Sequence, residues 1–298
     1  MGCSVIEVPA ELARIQGEVN GDEGRAFIAA LPGLAERFLE EWGLRRAGPV
    51  MHGWSALVLP VVAGDGTRAA LKLQLRDEES EGEGAALRAW GGSGAVRLLA
   101  EDAGTATLLL EWLDEGRHLS AVEDVREATA TLAGLMARLV AVPAPAGMRR
   151  LGDIAARMLD DVPEALAWLE REEDRRLLRD CAAAVREVVG EPGDRLLHWD
   201  LHFDNVLAAD REPWLAIDPK PLAGDPGFEL LPALFDRFDP DDVLWRFDLM
   251  TEVLGLDRER ARAWTLGRVL QDSLWDVEDG VTVLEGERAV VGRLLLGR

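Results

Sequence analysis

The run HWDLHFDN, His198 to Asn205, with Asp218 at the end of a later apolar run, gathers the side chains best suited to chemistry in this 298-residue chain. Asp200 and Asn205 are spaced D-x-x-x-x-N, and Asp218 follows after one polar turn. Phosphoryl transfer asks little covalent chemistry of a protein. It needs a carboxylate to orient an attacking hydroxyl and accept its proton, and magnesium to hold phosphates. Asp200 is the candidate base. The Asn205 amide oxygen and the Asp218 carboxylate are the candidate magnesium ligands, because magnesium takes oxygen donors and fills the rest of its shell with water and phosphate.

A cation for the phosphates is also present. Arginine outnumbers lysine 31 to 2, so the two lysines stand out. Lys72 lies in the apolar run ALKLQL, where a compact ammonium on a slim stem can reach nucleotide phosphates from a crowded strand. A carboxylate from the helix expected over 78–90 should position it. Glu79 and Glu83 share one face there; Glu83 is favoured as the deeper, with Glu79 the fallback. Lys220, in IDPKPL, has two equal readings, a phosphate contact or a loop brace. The alternation His198, Asp200, His202, Asp204 also suggests a metal hydrolase. Only His52 and His118 remain to complete a histidine site, and they stand in dissimilar surroundings. His198 and His202 are therefore read as shaping the loop, and Asp204 as a solvated carboxylate. Asp225 is a helix cap and Glu229 a structural residue of the turns that follow.

Elements must bring these groups together. Helical spacing from 11 to 44 gives a lead-in. Two β-rich runs around Gly64-Asp65-Gly66 predict a hairpin, with Pro60 at an edge or bulge. A helix over 78–90 and strands at 96–100 and 105–112 complete a β-β-α-β-β lobe. After the hinge-like Asp114-Glu115-Gly116 come helices near 121–141, 151–170 and 172–190. A second hairpin, Asn205 to Ala208 and Trp214 to Ile217, carries the catalytic loop. A Gly-Asp-Pro break at 224–226 precedes helices from 228 to 298. The expectation is α+β: residues 1–113 a nucleotide-binding lobe with a helical lead-in, and 114–298 a helical lobe with the catalytic loop and acceptor site.

Composition removes several alternatives. With 33 basic and 55 acidic side chains the net charge is −22, which opposes nucleic-acid binding through phosphate neutralisation. The longest apolar stretch, Trp54 to Ala63, is far short of the roughly 20 residues that span a bilayer. Cys3 and Cys181 cannot build a disulfide framework. The start, MGCSVIEVPAEL, lacks a signal core, and Ile6 stands where a myristoylation motif wants Ser or Thr, so a cytoplasmic protein is expected. Ten tryptophans accompany no tyrosine. Trp90, Trp168 and Trp264 are read as packing, Trp245 and Trp275 as candidate pocket walls. Acidic side chains recur toward the C-terminus, Asp272, Asp276 and Glu278 beside Trp275 among them; a carboxylate-lined cleft would suit a cationic small molecule, against the plainer reading of a solvated acidic face.

These residues resemble the aminoglycoside and hydroxyurea phosphotransferases, with the streptomycin 6-phosphotransferase branch nearest. The similarity runs from about 48 to 280 through ALKLQL, LRAW at 87–90, LLLEWL at 108–113, HWDLHFDNVLA at 198–208 and IDPKPLAGDPGFEL at 217–230. It implies a bilobal protein-kinase-like fold with ATP between the lobes. Glu111, Trp112 and Leu113 would form the hinge, the main chain of the latter two meeting adenine. Gly53 and Ser55 would lie in the loop covering the phosphates, and Asp272, Trp275, Asp276 and Glu278 would form the acceptor surface. The implied reaction passes the γ-phosphoryl group of ATP, or GTP as the alternative donor, to a hydroxyl of streptomycin. Other acceptors are hydroxyurea or another small molecule. A non-catalytic binding protein is a further alternative, opposed by the complete set of Lys72, Asp200, Asn205 and Asp218. Two features depart from the family pattern: Trp199 stands where glycine is common, and Gly53-Trp54-Ser55 is not glycine-rich.

Overall fold

The computed structural model describes residues 6–297, so expectations for Cys3 and the first five residues fall outside it. The chain divides into two compact units at Asp114 and Glu115.

The first unit opens with α1 (Ala10–Val19) and α2 (Gly21–Glu41). They are separated at Gly21, whose positive φ suits glycine. Pro32 lies inside α2 without ending it. The strands are β1 (Arg45–Arg46), β2 (Met51–His52), β3 (Ala56–Val62), β4 (Arg68–Gln74), β5 (Leu98–Asp102) and β6 (Thr107–Glu111). They form one antiparallel sheet in the order β1-β3-β4-β6-β5, with β2 also on β3. Period-2 alternation turns Leu57, Leu59, Leu71 and Leu73 into a core with Leu12, Leu31 and Phe38 of the two helices. Lys72, one residue out of phase with Leu71 and Leu73, belongs to the other face of the central strand β4. Pro60 lies within β3 at neither edge, opposite Ala70. Its carbonyl accepts from the Ala47 amide, so its donor-less nitrogen faces the break between β1 and β2, where no ladder bond is lost.

Helix α3 (Glu83–Trp90) is shorter than 78–90. Asp77 Oδ1 accepts from the amides of Glu79 and Ser80, giving the backbone a polar turn in place of a helical one. Glu79 thus lies off the helix, and Glu83 is its first residue, not a deep one.

Strand β7 (Asp114–His118) crosses the division between the units, so the hinge-like tripeptide lies within a strand. Helices α4 (Val125–Val140), α5 (Leu151–Trp168) and α6 (Glu172–Val188) lead to β8 (Arg195–Leu197), β9 (Val206–Ala208), β10 (Trp214–Ala216) and β11 (Leu222–Gly224). Then come α7 (Leu231–Phe235), α8 (Val243–Leu254), α9 (Arg258–Glu278) and α10 (Glu287–Leu295). Asp257 caps α9 by accepting from the Arg260 amide. From Ala261 to Ser273 this helix is buried almost all round, as befits a central element. Trp264 and Trp90 are core residues, whereas Trp168, at the end of α5, is 61% exposed and packs no core. Among the described residues no helix is long and apolar enough to cross a membrane.

Candidate active site

Two short ladders deliver the candidate catalytic loop. Strand β8 pairs with β11, and β9 with β10, so the chain leaves β8 at His198 and enters β9 after Asn205. The Ile217 amide donates to the Asn205 carbonyl at 2.9 Å, which sets Asn205 beside the strand end that carries Asp218. His198 joins the pieces. Its carbonyl accepts from the Lys220 amide at 2.9 Å, and its Nε2–H donates to the Ile217 carbonyl at 2.9 Å. Burial drives the imidazole down to about 3, against the opposing pull of that hydrogen bond, so the ring is neutral.

The loop is held in an unusual backbone shape. Trp199 and Asp218 both have positive φ, in the left-handed region that side chains rarely adopt. Each such residue costs about 1–3 kcal/mol and persists where its surroundings over-determine it. Glu229 is one of those surroundings: fully buried, it accepts from the His198 amide at 3.0 Å and the Trp199 amide at 2.8 Å. Burial pushes its carboxyl up to about 7, against the pull of the two amides. A second brace is Asp236, which accepts from the Phe203 amide at 2.8 Å and is raised by burial to about 6.

Within this frame Asp200 is half-buried, and burial lifts its carboxyl above the usual range, with Asp218 adding to the lift and His202 opposing it. The Asn205 Nδ2 group donates to the Asp200 carbonyl at 2.8 Å and to its carboxylate at 3.3 Å. Its amide oxygen is thereby left as the group Asn205 can offer a cation. Asp218 lies 3.5 Å from Lys220 Nζ, so Lys220 braces this corner through both main chain and side chain. Two hard oxygen donors on adjacent strand ends suit magnesium, which needs only one or two carboxylates when phosphates complete its shell. Among the described residues no cluster of three or more His, Cys, Asp or Glu is placed to hold a metal ion.

The α9 side chains sit beside the loop. Trp275, 39% exposed, meets Trp199 edge-on with centroids 6.1 Å apart. Asp272 is only 4% exposed and carries ion pairs with Arg268 and Arg288, each at 3.2 Å; Asp276 lies 3.4 Å from Arg288. The expected acidic surface is thus largely balanced by the chain's own arginines, and Glu278 is its exposed carboxylate at the end of α9. Asp225 caps the short 3-10 turn Pro226–Glu229 and pairs with Arg260 at 2.6 Å.

In the first unit Lys72 Nζ meets both Glu83 oxygens, at 2.7 and 2.8 Å, with all groups buried. Gln74 adds a donor to Glu83 at 2.6 Å. Glu111 ends β6 and accepts from the Arg97 amide at 2.7 Å; Arg68 lies over the Trp112 ring at 4.5 Å, and Leu113 is buried. Gly53 and Ser55 lie in the turn between β2 and β3, with Gly53 exposed. Glu229 was read as a structural residue of its own turn, but spacing gave no sign that it braces the loop, nor of the brace Asp236, of Gln74 or of the arginines on Trp199.

Against known proteins, a family model described as aminoglycoside/hydroxyurea antibiotic resistance kinase matches residues 41–280. A hydroxyurea phosphotransferase from Kitasatospora aureofaciens is 63% identical, covering 99% of this chain and 87% of that protein. A streptomycin 6-kinase from Streptomyces glaucescens is 56% identical over 98% of each. A macrolide 2′-phosphotransferase structure from Brachybacterium faecium superposes with TM-score 0.58 at 18% identity, covering 90% of this chain and 98% of that one, which makes the fold kinase-like.

Proposed function

The chain belongs to the aminoglycoside/hydroxyurea antibiotic resistance kinase family, and on that footing we propose that it is a cytoplasmic ATP-dependent O-phosphotransferase whose acceptor is streptomycin. The observation that carries this reading is the joining of Asp200, Asn205 and Asp218 at the ends of two adjacent strands, with the Asn205 amide clamped onto Asp200. The acceptor hydroxyl attacks the γ-phosphorus as the bond to the bridging oxygen of ADP breaks, and Asp200 takes the hydroxyl proton. A carboxylate lifted by burial is a better proton acceptor than an ordinary aspartate. Asn205 and Asp218 would hold magnesium, which when bound neutralises phosphate charge. Lys72, fixed by Glu83, would hold phosphate oxygens, with Glu111, Trp112 and Leu113 as the adenine-facing hinge and Gly53 and Ser55 in the phosphate-covering turn. Trp275, Glu278, Asp272 and Asp276 are the proposed acceptor side.

Streptomycin is cationic, and a strongly acidic chain favours its approach. Hydroxyurea is the second reading, favoured by the relative at 63% identity. Labelled ATP offered with a panel of streptomycin, other aminoglycosides and hydroxyurea decides between them. Streptomycin is expected to be the preferred acceptor; selective transfer to uncharged hydroxyurea would overturn the acceptor and leave the transferase. Asp200→Ala is expected to lower turnover by about 10²-fold or more while nucleotide affinity stays within a few fold. Near-normal turnover would refute its role as base. Asp218→Ala should weaken magnesium-dependent nucleotide binding, and an unchanged magnesium titration would remove its metal role.

A further inference from the structure

We infer that Trp199 is a positioning residue of the phosphoryl transfer, fixing the backbone of Asp200 against α9; this rests on Asp200 being the base. Its positive φ is one that glycine takes freely, yet the position holds the bulkiest side chain, 3% exposed. The indole Nε1 is buried with no hydrogen-bond partner among the described residues. A loop that needed only the left-handed turn would carry neither burden.

What the ring gains is contact on several sides. The Arg149 and Arg268 guanidinium groups each lie 4.6 Å from its centroid, within cation–π range. Arg149 also donates to the Lys220 carbonyl at 3.4 Å, on the segment that follows Asp218. Arg268 is tied along α9 to Gln271 at 3.1 Å and Asp272 at 3.2 Å, and Trp275 of the same helix meets the ring edge-on. Meanwhile the Trp199 amide is held by Glu229. One ring, on the residue bonded directly to Asp200, therefore joins the catalytic loop, the Asp218 segment and the helix proposed to face the acceptor. A displacement of the ring displaces the base, and a shift of about 1 Å in a reacting group can cost about 10²-fold in rate.

The test compares Trp199→Gly and Trp199→Phe in the full chain, following kcat and KM for streptomycin and for ATP together with the melting temperature. Glycine relieves the backbone and removes the ring. It is expected to lower kcat by about 10- to 100-fold with the KM for ATP nearly unchanged and the melting temperature largely kept. Phenylalanine keeps an aromatic face for the guanidinium groups and should recover most of kcat. A glycine variant with wild-type kcat overturns the inference. So does a joint collapse of kcat, ATP affinity and melting temperature that phenylalanine does not rescue, which marks a packing role alone. Asp200→Ala run alongside separates the layers. If that variant keeps turnover, the base assignment fails; if it is inactive while Trp199→Gly stays fully active, only the inference about Trp199 is lost.

Discussion

Glu229 and His198 are both buried at the foot of the catalytic loop, and burial pushes each toward its neutral form. The carboxyl of Glu229 moves from an ordinary 4.5 up to about 7, and the imidazole of His198 from 6.5 down to about 3. Their effects on folding have opposite sign. Above pH 4.5 the unfolded chain releases the Glu229 proton that the folded chain keeps, so this group lowers stability as pH rises from 4.5 to about 7. Below pH 6.5 the unfolded chain takes up a proton that folded His198 refuses, so that group lowers stability as pH falls from 6.5 toward 3. Between 4.5 and 6.5 the slopes oppose. Glu229→Gln removes one of them. The stability of wild type relative to this variant should therefore fall by about 3 kcal/mol as pH rises from about 4.5 to about 7, at about 1.4 kcal/mol per pKa unit. Urea unfolding of both proteins at stepped pH measures it, and a difference constant with pH would sink the assignment. The convergence of Asp200 and Asn205 beside the strand end that carries Asp218 was legible because the phosphoryl transfer proposed for them demands a fixed local spacing. The Glu229 brace was not, since it reaches the His198 amide across 31 residues and no spacing rule foretells that. Asp236 lies 33 residues from the amide it holds, and in sequence it looks like one more acidic surface residue.

Among the elements, β4 and α3 depend on each other through one buried ion pair. Lys72 is carried into the interior by the strand's alternation, and there its ammonium meets both carboxylate oxygens of Glu83 at the start of α3. Removing one partner from such a pair strands the other. Lys72→Met is accordingly expected to destabilise the protein by about 3–5 kcal/mol, with the added Glu83→Leu change restoring more than half of the loss. Thermal or urea unfolding of the single and double variants reads this out. A double variant no better than the single would show that the ammonium, and not the stranded carboxylate, was what stability required. The two hairpins and the long helices were readable from period and turn residues, which act locally. Local patterns failed where polar side chains or neighbours competed. Asp77 and Ser80 took the residues around Glu79 out of the helix, and a gap between β1 and β2 gave Pro60 a place inside the sheet. Asp114-Glu115-Gly116 was read as hinge-like; these residues lie in strand β7, at the point where the chain divides into its two units.

For the molecule as a whole the governing quantity is its net charge of −22. A field of that sign raises the local concentration and encounter rate of cations, by about 10- to 10³-fold where charges are focused, and does nothing for a neutral molecule. The arginines that balance Asp272 and Asp276 mean that this attraction comes from the summed surface rather than from one bare carboxylate pair. Such long-range attraction is sensitive to salt. Raising ionic strength from about 0.01 M to about 0.1 M shortens the screening length from about 30 Å to about 10 Å. With magnesium and ATP held saturating, so that their own response to salt does not enter, kcat/KM for streptomycin should fall several-fold over that range. The value for hydroxyurea, which carries no charge to be steered, should stay nearly level. Streptomycin turnover that is indifferent to salt, or an equal loss for both acceptors, would mean that the acidic surface plays no part in acceptor choice, and the preference for a cation would then have to come from contacts within the site.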